Sequence, residues 1–253
     1  MDRLRVCFTV CAVRRLLIAT RNAHKVGEIR AILAGQFECF SLDRVEGAPD
    51  VVEDAGTFAG NATKKAVELA KWAAAQPALV AELGGPAEEL FVLADDSGLE
   101  VDALEGAPGV HSARFAALDT GQSGNSSTAD NNAKLLRLLK GVPSEKRTAR
   151  FRCVLALTPV LGQHNSVASP VCFADEFELQ TQIFQGVCEG AIGFELQGNG
   201  GFGYDPLFFP VGYKLTFGEI SEAEKNALSH RAKALAAMKE LLAGSKAMKK
   251  FRE

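Results

Sequence analysis

Residues 90–98 read LFVLADDSG, an unbroken apolar run, Leu90-Phe91-Val92-Leu93-Ala94, followed by Asp95, Asp96, Ser97 and Gly98. Five consecutive apolar residues suit a strand buried on both faces, within a sheet covered by helices on each side. The aspartates are expected to end the strand, with Ser97 or Gly98 allowing a sharp turn. Neighbouring side chains on a strand point to opposite faces, so only one of Asp95 and Asp96 can face a given site. The other is expected to brace the turn. Carboxylates at the carboxyl end of such a strand are a common place for a hard cation. Capping of the turn is the structural alternative. It accounts for one aspartate better than for two, because an unpaired buried carboxylate is costly.

Upstream, Leu16-Leu17-Ile18-Ala19 reads as a second buried strand, and residues 20–25, TRNAHK, as a polar loop. Val26, Ile29, Ile32 and Leu33 then mark a short amphipathic helix. A strand, loop and helix in this order aim backbone N–H groups and a positive helix end at one spot, with Thr20, Asn22 and Lys25 adding polar groups. The Walker A spacing is absent, and a solvated loop is the plainer reading. Thr57 is a plausible N-cap for a helix with Phe58, Ala62, Ala66, Leu69 and Ala73 on its apolar stripe, ending before Pro77. Asn61 and Lys65 share one face of it and Lys64 points elsewhere. Glu53 and Asp54 precede it, where a negative charge favours a helix start. Residues 76–89 contain Pro77, Gly84, Gly85 and Pro86 and read as a surface insertion.

Downstream, residues 130–140 are expected to be helical, 149–157 a strand and 177–193 strand-like, with a second insertion at 162–176. Gly198 opens a glycine-rich loop that leads through Phe202, Gly203, Tyr204 and Asp205 to Pro206. Such a segment lets the backbone approach a planar base while a ring stacks on it, although a tight turn with core aromatics is the commoner case. Ser229 looks like the N-cap of a last helix running to about Lys246, with Leu235, Met238, Leu241 and Leu242 facing inward. His230 and Arg231 then fall in its first turn, where a cation is disfavoured unless an anion lies beside it. A surface pairing of Arg231 with Glu222 or Glu224 is the alternative. Mixed strands and helices of this kind indicate an α/β or α+β chain.

The chain has 253 residues, 47% of them hydrophobic, enough for a sizeable core in one domain or in two lobes sharing a cleft. A formal net charge of −3 disfavours a nucleic-acid-coating role. The six cysteines form no paired metal spacing and read as reduced thiols, and the four histidines give no zinc pattern. No apolar run approaches the ~20 residues that span a bilayer. The short apolar run at 6–13 lies between arginines but lacks a cleavage site after it, so residues 1–14 read as an extension or strand.

Taken together, the stretches TRNAHKVGEIRAIL, EDAGTFAGNATKKA, LADDSGLEVDALEGAPGVHSARFA, NNAKLLRLL, GGFGYDPLFFPVG and TFGEISEAEKNALSHRAKAL resemble the inosine triphosphate pyrophosphatase family. They run in the family order over about residues 15–240. The resemblance implies an elongated, two-lobed α/β fold around a central mixed sheet flanked by helices, with the substrate cleft between the lobes. It makes residues 15–246 one domain with two insertions and residues 247–253 a tail. It also implies a cytoplasmic homodimer that hydrolyses non-standard purine nucleoside triphosphates (ITP, dITP, XTP) to the monophosphate and pyrophosphate. The cofactor implied is Mg²⁺, with Mn²⁺ able to substitute. Carried over by position, Asp96 is the proton acceptor and a metal ligand, Glu53 the other metal carboxylate and Lys65 a catalytic phosphate contact. Thr20, Asn22, Lys25, Ser97, Phe202, Gly203, Tyr204, Asp205, Lys225, His230 and Arg231 are the expected substrate contacts. The chain departs from the family at Arg21 and Ala55, where glycine is usual, and in the insertions. A pyrophosphatase for other altered nucleotides and a nucleotide sensor without hydrolysis are the competing readings.

Overall fold

A computed structural model describes residues 14–83, 90–121, 123–161 and 175–249, with backbone only beyond residue 243. Residues 1–13 of the expected 1–14 extension, the remainder of the first insertion at 84–89, most of the second at 162–174 and the end of the tail at 250–253 lie outside these residues. The elements run β1 (Arg14–Ile18), α1 (Ala23–Leu33), β2 (Phe37–Ser41), α2 (Phe58–Ala74), α3 (Pro77–Glu82), β3 (Leu90–Val101), α4 (Thr128–Leu138), β4 (Thr148–Pro159), α5 (Glu176–Gln180), β5 (Gln182–Ile192), β6 (Phe208–Pro210), α6 (Glu222–Leu228) and α7 (His230–Lys249). The strands form one mixed sheet in the order β2-β1-β3-β4-β5-β6. The pairs β2–β1 and β1–β3 are parallel, and all pairs from β3 onward are antiparallel.

Side-chain alternation divides the core into two layers. Leu17, Leu90, Val92 and Ala94 face α2, whose stripe of Phe58, Ala62, Ala66, Leu69 and Ala73 is buried against them. Leu16, Ile18 and Leu93 face α1 and α7 on the other side, against Ile29, Leu33, Leu235 and Met238. The apolar run around Leu93 is therefore buried on both faces, as its composition predicts. A third cluster, with Leu99, Val101, Phe115, Leu135, Phe151, Phe208 and Phe217, forms the second lobe.

That lobe exists because β3 does not stop at the aspartates. The expected turn at Ser97-Gly98 is absent. β4 pairs with β3 in continuous register from Phe91 opposite Pro159 to Val101 opposite Ala149, with Asp95 and Asp96 opposite Leu155 and Val154. Gly98 serves close packing instead of a turn, because a Cβ there would lie 2.4 Å from Ser112 Oγ and 2.5 Å from the Gly109 carbonyl. At Gly186 on β5, a Cβ would lie 2.1 Å from the His230 carbonyl and 2.5 Å from the Ala234 nitrogen, so α7 starts directly on the sheet.

Three smaller expectations also change, and one further helix appears. Residues 77–83 are not a surface insertion but helix α3 and its end, with Pro77 in the first turn and Val80 and Leu83 in the core. Residues 176–180 are helical, capped by Asp175, so strand character begins only at Gln182. α6 precedes α7 and carries a capping box between Ser221 and Glu224. On α7, Leu241 is 47% exposed while Met238 and Leu242 are buried, because position 241 lies off the i, i+4 stripe that those two share. No helix among the described residues is long and apolar enough to cross a membrane.

Candidate active site

A cavity of about 760 Å³ opens between the lobes. Thr20, Asn22, Lys25, Glu53, Lys65, Asp96, Ser97, Phe202, Gly203, Tyr204, Asp205, Lys225, His230 and Arg231 all line it. Residues from the loop after β1, from β3 and from the start of α7 thus converge on one space.

The floor is β3. Asp96 faces α2, where Asn61 Nδ2 donates to its Oδ2 at 3.0 Å. Asn61 Oδ1 in turn accepts from the Ala55 backbone at 2.9 Å. One asparagine therefore ties Asp96 to the segment carrying Glu53. Lys65 Nζ donates to Glu53 Oε1 at 2.8 Å and to the Asp95 carbonyl at 2.7 Å. Lys64, one residue earlier, turns outward to Asp54. Burial raises the Asp96 carboxyl above the ordinary carboxylate range, only partly offset by Lys65, Lys25 and Asn61.

Asp95 faces the opposite side of β3 and has a different environment. Its Oδ1 accepts from Lys25 Nζ at 2.5 Å and Ser97 Oγ at 2.8 Å, and its Oδ2 from Arg231 Nε at 2.9 Å and Cys153 Sγ at 3.2 Å. Burial disfavours its charge, but Arg231 and Lys25 outweigh that and hold it well below the usual range. With no turn to brace, Asp95 holds the cations instead. Arg231 also pairs with Glu28 and donates to Ser97 Oγ at 2.9 Å. Glu28 pairs with Lys225 at 2.7 Å, and Lys225 with Asp205 at 2.6 Å. The alternative pairing of Arg231 with Glu222 or Glu224 is not found, since Arg231 pairs with Asp95 and Glu28. Asp95 and Glu28, both inside the protein, meet the charge at the start of α7.

The thirteen-atom hydrogen-bonded turns of α1 begin closer to the strand than its apolar pattern shows. Asn22 is its N-cap, its side chain accepting from the His24 and Lys25 nitrogens, so Lys25 lies in the first helical turn. Neither Arg21 nor Ala55 has a positive φ, so neither position requires glycine. Phe202 stacks on His24 with ring centres 5.2 Å apart, and Lys225 Nζ lies 4.7 Å from the centre of its ring. Tyr204 is a core ring whose hydroxyl donates to the Ser112 carbonyl at 2.9 Å. Asp205 Oδ2 accepts from the Phe202 nitrogen at 2.7 Å, and burial raises its carboxyl despite Lys225. His230 stacks on Phe151 at 4.8 Å, and its buried Nδ1 has no hydrogen-bond partner. Burial and the neighbouring Arg231 hold the imidazole well below its ordinary value despite Asp95, so it is neutral.

A sequence profile of the Ham1 family matches residues 16–241. The chain belongs to the Ham1 family. Among Ham1 relatives, a dITP/XTP pyrophosphatase of Desulforamulus reducens is 43% identical over 229 residues, covering 90% of this chain and 95% of the relative. One of Porphyromonas gingivalis is 41% identical over 231 residues, covering 91% and 98%. The solved structure of a HAM1 protein from Coxiella burnetii superposes with a TM-score of 0.68 at 32% identity, covering 91% of this chain and 99% of that one. The Ham1 match bears out the family resemblance and the mixed sheet flanked by helices.

Three residues that shape this Ham1 cavity have partners that the sequence did not reveal. Glu28 sits inside TRNAHKVGEI but its partners are about two hundred positions away. Asn61 shares a helix face with Lys65, which was visible, but its link to Asp96 was not. Phe151 reads only as a strand residue.

Proposed function

We propose that this chain hydrolyses non-standard purine nucleoside triphosphates, ITP, dITP and XTP, to the monophosphate and pyrophosphate. The observation that carries the reading is the cavity floor, where a buried carboxylate of raised proton affinity, Asp96, stands beside Lys65 and opposite the Lys25–Arg231–Lys225 cations. The relatives' shared name, dITP/XTP pyrophosphatase, agrees with it.

Mg²⁺ is the cofactor the family implies, with Mn²⁺ as a substitute. The described residues hold no cluster of three or more His, Cys, Asp or Glu ligands. Mg²⁺ needs none, since it commonly keeps several waters and uses one or two carboxylates plus substrate phosphates. Glu53 and Asp96, linked through Asn61, are such a pair, and a divalent cation would offset the cost of burying the Asp96 charge. When bound it would supply Lewis-acid charge at the phosphate oxygens.

The chain's own groups divide the remaining work. Asp96 accepts the proton of the attacking water, while Asn61 fixes the carboxylate through Oδ2. Lys65 and Lys25 meet the phosphates, and Thr20, Asn22 and Ser97 line the same wall. Phe202 offers a ring face to the base. Arg231 is engaged by Asp95, Glu28 and Ser97, which leaves the neutral His230, with Nδ1 unpartnered, to meet the base edge. A group aimed at the C6 carbonyl of hypoxanthine or xanthine rejects the C6 amino group of adenine by leaving buried polar atoms unpaired. We further propose that the enzyme acts in the cytoplasm as a homodimer.

The test is pyrophosphate release from a nucleotide panel with and without Mg²⁺. ITP, dITP and XTP are expected to be cleaved only with the metal, and ATP poorly. Equal kcat/KM for ITP and ATP would refute the base selection, and binding without release would favour a sensor.

A further inference from the structure

The cations deep in the cavity are already committed. Lys25 and Arg231 hold Asp95, Lys225 holds Glu28 and Asp205, and Lys65 holds Glu53. Their side chains are at most 16% exposed, so their positions are set by the fold. An incoming phosphate chain therefore meets Lys25 and Lys65 only as charges already shared with Asp95 and Glu53.

Arg21 is placed differently. It stands between Thr20 and the α1 cap Asn22, on the rim of the cavity, and its ion-pair partner Asp50 lies on the same rim. The side chains are 50% and 90% exposed. A pair this open to water is weak, and another anion readily displaces the carboxylate. Arg21 Nη2 also donates to the Ala48 carbonyl at 3.0 Å, so the guanidinium is held between Ala48 and Asp50 beside the cavity. Arg114, another cation on the rim, is instead tied to the Glu53 carbonyl at 3.3 Å. At the start of α1 the His24 and Lys25 nitrogens are occupied by the Asn22 cap, so a side chain such as Arg21 is needed to replace the anion affinity they would have given. A guanidinium matches the oxygens of a phosphoryl group bidentately and prefers their higher charge over a single carboxylate.

We propose that Arg21 sets selectivity for phosphate-chain length, leaving Asp50 to pair with the terminal phosphoryl group when a triphosphate occupies the cavity. Asp50 holds the arginine in place between turnovers. The proposal rests on the reading that the cavity takes a triphosphate, and it concerns the one phosphate that a shorter chain lacks.

Calorimetric titration of the full chain with inorganic tripolyphosphate and with pyrophosphate, both with Mg²⁺, tests it without requiring turnover. Arg21→Ala is expected to weaken tripolyphosphate binding about 10- to 100-fold, the range for a hydrogen bond to a charged group, and pyrophosphate binding less than about threefold. Arg21→Lys should recover part of the loss, and Asp50→Asn should leave tripolyphosphate affinity unchanged or tighter. Equal losses for both chain lengths, or none, would overturn the proposal. A loss in Asp50→Asn matching that in Arg21→Ala would also overturn it, since the pair would then be positioning the loop. A wild-type chain that binds tripolyphosphate but releases no pyrophosphate from ITP would sink the functional reading and leave the Arg21 comparison standing.

Discussion

Asp95 and Asp96 are chain neighbours on one strand, yet they live in opposite chemical worlds. Asp95 points toward α1 and α7 and is saturated by Lys25, Ser97, Cys153 and Arg231. Asp96 points toward α2 and the cavity, where Asn61 donates to only one of its oxygens. Burial acts on both. It is overcome at Asp95 and prevails at Asp96, so the first carboxyl is pushed down and the second up. The period of a β-strand thus separates a carboxylate spent on holding cations from one kept basic. Two adjacent identical residues carry two jobs because each face of the sheet has its own neighbours.

Exchanging the carboxylates for amides breaks the comparison most sharply. Asp96→Asn is expected to fold, to unfold no more easily than wild type, and to turn over at least about 100-fold more slowly, the scale of a lost general base. Near-normal ITP turnover would remove Asp96 from the mechanism. Asp95→Asn should act the other way round, costing about 3–5 kcal/mol because Arg231 and Lys25 lose a buried partner. Urea unfolding measures it, and a loss under about 1 kcal/mol would mean Asp95 is dispensable to the fold.

The acid response sharpens the contrast further. A depressed carboxyl contributes stability that is present above its unfolded value of ~3.9 and lost as pH falls through the folded value. A raised one contributes stability that is present below ~3.9 and lost as pH rises through the folded value. Urea midpoints between about pH 3 and about pH 7 should therefore show less acid sensitivity in Asp95→Asn than in wild type. Loss of the raised group in Asp96→Asn should leave stability falling less as pH rises. In wild type, kcat/KM should fall on the acid side, since the base must be ionised. The smallest effect belongs to Glu28→Gln, which weakens one anion shared by Lys225 and Arg231 and keeps Asp95 and Asp205 in place. It should raise KM for ITP by up to about tenfold, on the scale of one charged hydrogen bond, with little change in kcat. A fall in kcat alone would place Glu28 nearer the chemistry.

Much of this was legible in the chain. The apolar run at 90–94 predicts a strand covered on both sides, and Phe58, Ala62, Ala66, Leu69 and Ala73 predict the face of α2, because each reports a local period. The continuation of β3 through Asp95 to Val101 was not legible. Polar residues after an apolar run read as an end, and only pairing with β4, from Asp95 opposite Leu155 to Val101 opposite Ala149, carries the strand onward. α6 left a readable mark in Ser221 and Glu224, the two ends of a capping box, and α3 one in Pro77 at a helix start. The site residues could be gathered only by family resemblance. Arg231 and Asp95 are 136 positions apart and no local pattern pairs them.

Gly186 touches no substrate residue through a side chain, having none, yet it fixes the height at which His230 and Arg231 stand above the sheet. Any larger residue would work as a shim beneath one end of α7, lifting both together while Asp95 and Phe151 stayed behind. The height of His230 and Arg231 is therefore adjustable from β5, on the face that seats α7. If His230 meets the base as proposed, a lineage could retune which purines it accepts by altering the seat of a helix, leaving every cavity-lining residue unchanged.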